Sequence, residues 1–253
     1  MTFPRFHCPV PITVGATIDL PENAARHAGR VLRLRAGDGI VLFDGKGGEY
    51  SARIAAVERS NVAADVLDWH DVDREAPIGV TLVQALQSGD KMDMTIQKAV
   101  ELGAVGVVPV ASRRSVLRLD GERAAKRVEH WRGVAVAACE QSGRNRVPEI
   151  AGLETLDRWL NRPKPANVMR LMLAPGADAT LAALPRPSSE MRIELLIGAE
   201  GGLAPEELEK AVHAGFVGIR LGPRILRTET AGLAALAAMQ CLWGDFGEGE
   251  GHV

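Results

Sequence analysis

The hydrophobic rhythm of the chain changes near residue 70. Before that point apolar residues come in short runs. The stretch IVLFDGKGGEYSARIAAV, from Ile40 to Val57, holds two such runs around Asp44-Gly45-Lys46-Gly47-Gly48, which predicts a β-hairpin. Ser60 to Leu67 predicts another strand, and PENAARHAGRVLRL, from Pro21 to Leu34, a short helix. Asp71 to Gly79 is polar and carries a proline, as a linker would. Beyond it strands and helices alternate. Val80 to Leu86 predicts a strand. Lys91 to Leu102 predicts a helix with Met92, Ile96, Ala99 and Val100 on one face and Gly103 as its stop. Val105 to Val110 is the next strand, followed by a long helix from about Glu122 to Gln141. Apolar stretches at Val168 to Leu173 and Ile193 to Ile197, a helix at Pro205 to Ala214, a strand at Phe216 to Leu221 and a buried helix ending at Trp243 complete the pattern. This alternation predicts an α/β domain with a largely parallel sheet. The last ten residues, Gly-rich and acidic, predict a loose tail.

Composition narrows the picture. The 253 residues suffice for one large domain or two ordinary ones. Cys8, Cys139 and Cys241 stand far apart, which argues against a disulfide framework or a Cys-based metal site and fits a reducing cytoplasm. MTFPRFHCPVPITV lacks the layout of a signal peptide, and Ala231 to Trp243, the longest apolar run, is too short for a bilayer. The net charge of −2 does not announce a nucleic-acid binder, but from Ser112 to Arg146 nine Lys and Arg face four Asp and Glu. Such a stretch is either a solvated helix face or a phosphate-attracting patch. The same choice applies to Arg26, Arg30 and Arg33, spaced to share one helix face with His27 beside it.

Candidate chemistry sits where apolar strands stop, because ligands of open α/β sheets bind beyond the carboxyl ends of the strands. Three stretches fall there: Leu173-Ala174-Pro175-Gly176, Ile197-Gly198-Ala199-Glu200-Gly201-Gly202, and GPRILRTETAGLAA from Gly222 to Ala235. Their glycines permit close approach to the main chain. They match neither a phosphate loop nor the dinucleotide fingerprint, which weighs against a nucleotide-dependent oxidoreductase. In the third stretch Arg224, Arg227 and Glu229 form either a local ion pair capping the last helix, with Thr228 as N-cap, or a cationic loop beside a ligand crevice.

Together LLIGAEGGLAPEE and LGPRILRTETA resemble the C-terminal signature of the RsmE family, SPOUT-class methyltransferases that modify N3 of a uridine in 16S ribosomal RNA. RHAGRVLRLRAGDGIVLFDG, QSGDKMDMTIQKAVELGAVGVVPV and AACEQSGRNRVPEI extend the likeness over nearly the whole chain, in order. The resemblance implies a PUA-like RNA-binding β-barrel over residues 1–72 and a SPOUT methyltransferase domain over 73–253. In the latter a trefoil knot holds S-adenosylmethionine. It also implies a homodimer, a substrate within the small ribosomal subunit, and no metal. On this sequence the implied cofactor pocket takes Leu173 from the first stretch and Leu196, Ile197, Gly198, Glu200 and Gly201 from the second. From the third it takes Leu221, Gly222, Ile225, Leu226, Arg227, Thr230 and Ala231. Ala199 replaces the family's usual proline, and Ala174 stands where a larger polar residue is common.

The chemistry this implies is in-line methyl transfer, for which alignment is the main task. N3 of uracil is a poor nucleophile until its proton leaves, and the charge then spreads onto O2 and O4. Arg227 is the candidate to stabilise it, while Glu229 either takes the proton or steadies the arginine. For RNA the candidates are Arg5, Arg26, Arg30 and Arg33 in the first domain and Arg113, Arg114, Arg144 and Arg146 in the second. Gln141 and Asn145 are candidates to approach the base or cofactor. The rival is an RNA-binding protein without turnover.

Overall fold

In the computed structural model, residues 3–59 and 61–247 are described. The chain forms two compact units, one of Met1–Glu75 with Val136–Val147 and one of Ala76–Ala135 with Pro148–Val253.

The first unit is built on a five-stranded sheet. Its strands are β1 (Arg5–His7), β2 (Thr17–Asp19), β3 (Gly39–Phe43), β4 (Glu49–Val57) and β5 (Val62–His70), in the order β1-β3-β4-β5-β2. Where a barrel was expected, the strand path runs from β1 to β2, and no β1–β2 ladder closes it among the described residues. The β3–β4 hairpin is the one the alternation predicts. Gly45, Gly47 and Gly48 supply its left-handed turn residues. Alternate residues Ile40, Leu42, Ala52, Ile54, Ala64 and Val66 point inward and form the core. Ser60, expected to open β5, lies outside the described residues, as do residues 248–253 of the expected tail.

The predicted helix over 21–34 is shorter and less regular. It runs as α1 (Glu22–Arg26) and continues as one π-helical turn, His27–Val31. Arg33 follows with φ 55°. The chain has left the helix there, so Arg33 does not stack on Arg26 and Arg30 as an i+7 neighbour.

The second unit holds a seven-stranded, wholly parallel sheet. Along the chain come β6 (Gly79–Ala85), α2 (Lys91–Glu101), β7 (Gly106–Ala111), α3 (Gly121–Ser142, counted with the first unit from Val136 on), β8 (Glu149–Ile150), β9 (Glu154–Thr155) and α4 (Leu156–Leu160). Then follow β10 (Val168–Leu173), β11 (Arg192–Ile197), α5 (Pro205–His213), β12 (Phe216–Ile219) and α6 (Thr228–Trp243). The order β12-β10-β11-β6-β7-β8, with β9 also on β7, puts β6 and β11 at the centre. Both are near-continuous apolar runs because helices cover both faces of a parallel sheet. Gly103, φ 83°, ends α2 as expected. The two-residue strands β8 and β9 and the short α4 escaped the sequence pattern, being too brief to show a period.

Among the described residues no helix is long and apolar enough to cross a membrane. No group of three or more His, Cys, Asp or Glu is placed to hold a metal. Burial pushes the Cys8 and Cys139 thiols up to about 12, so neither is a thiolate at neutral pH.

Candidate functional site

Parallel pairing aligns the carboxyl ends of β12, β10, β11 and β6 along one edge of the sheet. A cavity of about 170 Å³ opens there. The ends of β10 and β11 form one side, Leu173 to Pro175 and Ile197 to Glu200 with Gly202. Ile219 to Gly222, Arg224 to Thr228 and Ala231 form the other. The three stretches singled out in the sequence therefore meet. Three of the expected cofactor residues are not on the wall. Leu196 is wholly buried, because adjacent strand residues face opposite ways and Ile197 takes the cavity side. Gly201 is replaced on the wall by Gly202, and Thr230 is exposed on the first turn of α6.

Two glycines are required by this geometry. A Cβ on Gly198 would lie 2.8 Å from the carbonyl carbon of Gly202, because the 199–202 turn folds back on it. Gly222 meets no steric obstacle, but its φ of 83° favours glycine. Ala199 completes the turn with its carbonyl, which accepts from the Gly202 N–H at 2.8 Å. The turn closes through backbone atoms, without proline.

The start of α6 differs from the expectation. Arg227, not Thr228, is the N-cap, and its carbonyl accepts from Thr230 and Ala231. The Thr228 hydroxyl instead donates to the Gly198 carbonyl at 2.5 Å and accepts from Gln84 and Gln87 at 3.1 and 3.3 Å. Thr95 completes this buried cluster by donating to Gln87. Buried polar groups need such partners, so the cluster fixes α6 against the ends of β6 and β11. A polar residue within the apolar run VTLVQALQ was the visible signal for it.

Glu229 does not pair with Arg227 among the described residues. Positions two apart at a helix start face different ways. Its Oε1 lies 3.6 Å from Lys91 Nζ, and its Oε2 is enclosed without a hydrogen-bond partner. Lys91 Nζ is also 3.7 Å from Glu200 Oε1. That oxygen accepts from the Ser88 N–H at 2.9 Å and the Ser88 hydroxyl at 2.8 Å. Burial favours protonation of Glu200. The Ser88 bonds, the residue's own N–H and Lys91 outweigh it and hold the carboxyl below its ordinary range. Sequence reasoning passed over Ser88 and Lys91, because nothing in a helix-opening loop says that it faces a distant strand end.

The sequence matches an RNA methyltransferase domain over residues 74–240 and an RNA methyltransferase PUA domain over residues 20–67. Ribosomal RNA small subunit methyltransferase E of Bacillus subtilis is 34% identical over 231 residues, 88% of this chain and 89% of its own. This chain belongs to that methyltransferase family. Among solved structures, the Neisseria gonorrhoeae methyltransferase E bound to S-adenosyl methionine superposes with a TM-score of 0.92 at 45% identity. The match covers 97% of this chain and 100% of that one. A Legionella pneumophila methyltransferase in complex with the same cofactor also gives 0.92, at 34% identity over 97% and 100%. The α/β class, the parallel sheet and the N-terminal PUA domain agree with the resemblance drawn from the sequence.

The arginines expected to meet RNA in this methyltransferase divide sharply. In the first unit Arg144 is buried and Arg5 is half-buried. Arg5 donates to Glu49 at 2.6 Å and to Asn145 at 2.5 Å, and Arg144 is paired with Glu75. Asn145, once a candidate to approach the base, is itself buried and donates to Glu49 and the Val72 carbonyl. All three are engaged by partners within the protein, as a buried guanidinium such as that of Arg144 requires. Gln141 is exposed near the end of α3. Arg146 bonds the Lys46 carbonyl at 2.5 Å, and in the second unit Arg114 bonds the Gly201 carbonyl at 2.7 Å. Arg113 pairs with Glu206 at 3.3 Å. These three remain exposed, as do Arg26, Arg30 and Arg33.

Proposed function

We propose that the protein transfers a methyl group from S-adenosylmethionine to N3 of a uridine in 16S ribosomal RNA of the small subunit. The carrying observation is the cavity at the strand ends, within a chain of this methyltransferase family. Its fit to a nucleoside cofactor is tested by its walls. Leu173, Ile197, Leu221 and Leu226 give apolar surface, and Ile225 is left 82% exposed at the rim, as a side chain that covers a ring would be. Gly198 and Gly222 bring main-chain groups close to any occupant. Leu196 backs this wall from the core, and Gly201 and Thr230 flank it in the chain.

When bound, S-adenosylmethionine supplies an electrophilic methyl on a sulfonium. The chain's own residues have three tasks: to orient the base, to exclude water and to stabilise the charge left when N3 loses its proton. Arg227, exposed on the cavity wall, is assigned the third task. Glu229 is assigned a supporting place, because it holds Lys91 and does not line the cavity.

Residues 1–72 are assigned to RNA binding and 73–253 to methyl transfer. Arg26, Arg30 and Arg33, with Arg113, Arg114 and Arg146, are the proposed phosphate contacts. The trefoil knot implied by the resemblance is part of this reading, and the chain path is of the kind it needs. After β12, at one edge of the sheet, the chain returns across β10 to bond Gly198 at the end of β11 and Gln84 at the end of β6. A homodimer working in the cytoplasm without a metal completes the proposal. Labelled S-adenosylmethionine and small-subunit particles lacking the modification test it. Label is expected at one uridine N3; label at a cytidine, or only on tRNA, overturns the substrate assignment.

A further inference from the structure

The loop from Gln87 to Asp90 and the first residue of α2 face both carboxylates at the site. Ser88 binds Glu200 through two donors, and Lys91 lies between Glu200 and Glu229 at 3.7 and 3.6 Å. Glu200 is on the cavity wall, whereas Lys91 and Glu229 are not. Two carboxylates that share one ammonium repel one another without it. Other cations are close by. Arg114 bonds the Gly201 carbonyl, Arg127 of α3 bonds the Gly89 carbonyl and faces Asp93, and Arg220, Arg224 and Arg227 line the cavity. Among the described residues, only Lys91 comes within ion-pair distance of either carboxylate.

We propose that Lys91 is a positioning residue for the cofactor cavity: by standing between Glu200 and Glu229 it keeps Glu200 ionised and fixed on the cavity wall, where a cationic nucleoside ligand meets it. Ser88 fixes the direction of the carboxylate and does most to keep it charged; Lys91 adds to this and offsets the neighbouring charge of Glu229. The role of the ligand rests on the cavity being the S-adenosylmethionine site; the role of Lys91 toward Glu200 does not.

The first test uses the ligand-free protein. With glutamate labelled at the carboxyl carbon, and Glu200→Gln to assign the signal, the Glu200 resonance is titrated by NMR. In Lys91→Met its midpoint is expected to rise by about one pH unit or more. Lys91→Arg should restore the wild-type midpoint, and so should Lys91→Met combined with Glu229→Gln, which removes the like charge. An unmoved midpoint in Lys91→Met overturns the proposal, and so does a double variant that behaves like the single one. Lys91→Ala carries the same test if the methionine variant does not fold. The second test is calorimetric titration with S-adenosylmethionine between pH 4.5 and 8. Wild-type affinity should stay nearly level, while Lys91→Met weakens about threefold or more toward acid as Glu200 protonates. A purely structural role would weaken binding equally at every pH, and parallel profiles therefore overturn the ligand part. If wild type binds no S-adenosylmethionine, the assignment of the cavity falls and the NMR titration still decides the role of Lys91.

Discussion

The first unit and the cavity edge of the second unit each gather arginines and carboxylates, and they treat them in opposite ways. Around Glu49 every charge is matched at short range. Arg5 and Arg74 reach it at 2.6 and 3.0 Å, Asn145 adds a donor, and Arg144 is paired with Glu75 beside them. At the cavity Arg227 is exposed and unpaired with Glu229, and Lys91 holds its carboxylates only at 3.6–3.7 Å. Closely matched charges specify a structure but have little left for a ligand. Loosely held charges at a cavity cost less to rearrange and remain available. Arginine-rich stretches that look alike in sequence thus serve different ends.

The sharpest way to break the comparison is to remove one partner from the closed cluster. Arg144→Met leaves Glu75 uncompensated and should destabilise the protein by about 3–5 kcal/mol, read as a fall in the urea midpoint. A loss well under 1 kcal/mol would show that the cluster is not structural. At the open site the opposite is expected. Arg227→Ala should lower single-turnover methylation about 100-fold while leaving the melting temperature and S-adenosylmethionine affinity nearly unchanged. Near-normal turnover would remove Arg227 from the mechanism. Gly222→Ala forces a side chain into φ 83° and should cost about 1–2 kcal/mol, seen chiefly as weaker cofactor binding.

Acid should separate the regions more gently. Burial alone would raise the Glu49 pKa, but Arg5, Arg74 and Asn145 hold it below the ordinary carboxylate range. A carboxyl lowered on folding stabilises the protein above its unfolded pKa, and that contribution fades as pH falls through the folded value. Stability should therefore drop below about pH 4.5, and the drop should be smaller in Glu49→Gln. The smallest effect concerns RNA. Substituting Arg26 and Arg30 together should lower the salt dependence of particle binding by about two phosphate contacts. A full loss of binding, or none, would change the division between positioning and structural arginines.

Much was legible in the chain. Period-two runs around a glycine turn gave the β3–β4 hairpin, because burial on one face of a strand imposes that period. Apolar runs ending in glycine or proline gave the strand ends where the cavity opens. What could not be read is which distant residue each polar side chain meets. Arg5 and Arg144 carry no local mark separating them from Arg26, yet they are engaged by partners up to 140 residues away. Lys91 lies 109 positions before Glu200 and 138 before Glu229. Thr228 looked like a helix cap, and a carbonyl thirty residues upstream captured its hydroxyl instead.

By itself, then, the sequence determined a β-rich and an α/β unit, the parallel sheet and the three strand-end loops, because hydrophobic period and the backbone freedom of glycine are local properties, while the resemblance of its motifs pointed to the methyltransferase family. Only the tertiary structure decided which charges are enclosed and which stay available. A charge's partners are set by how strands are ordered side by side, and that order is fixed by packing over the whole sheet rather than by any neighbourhood of the chain.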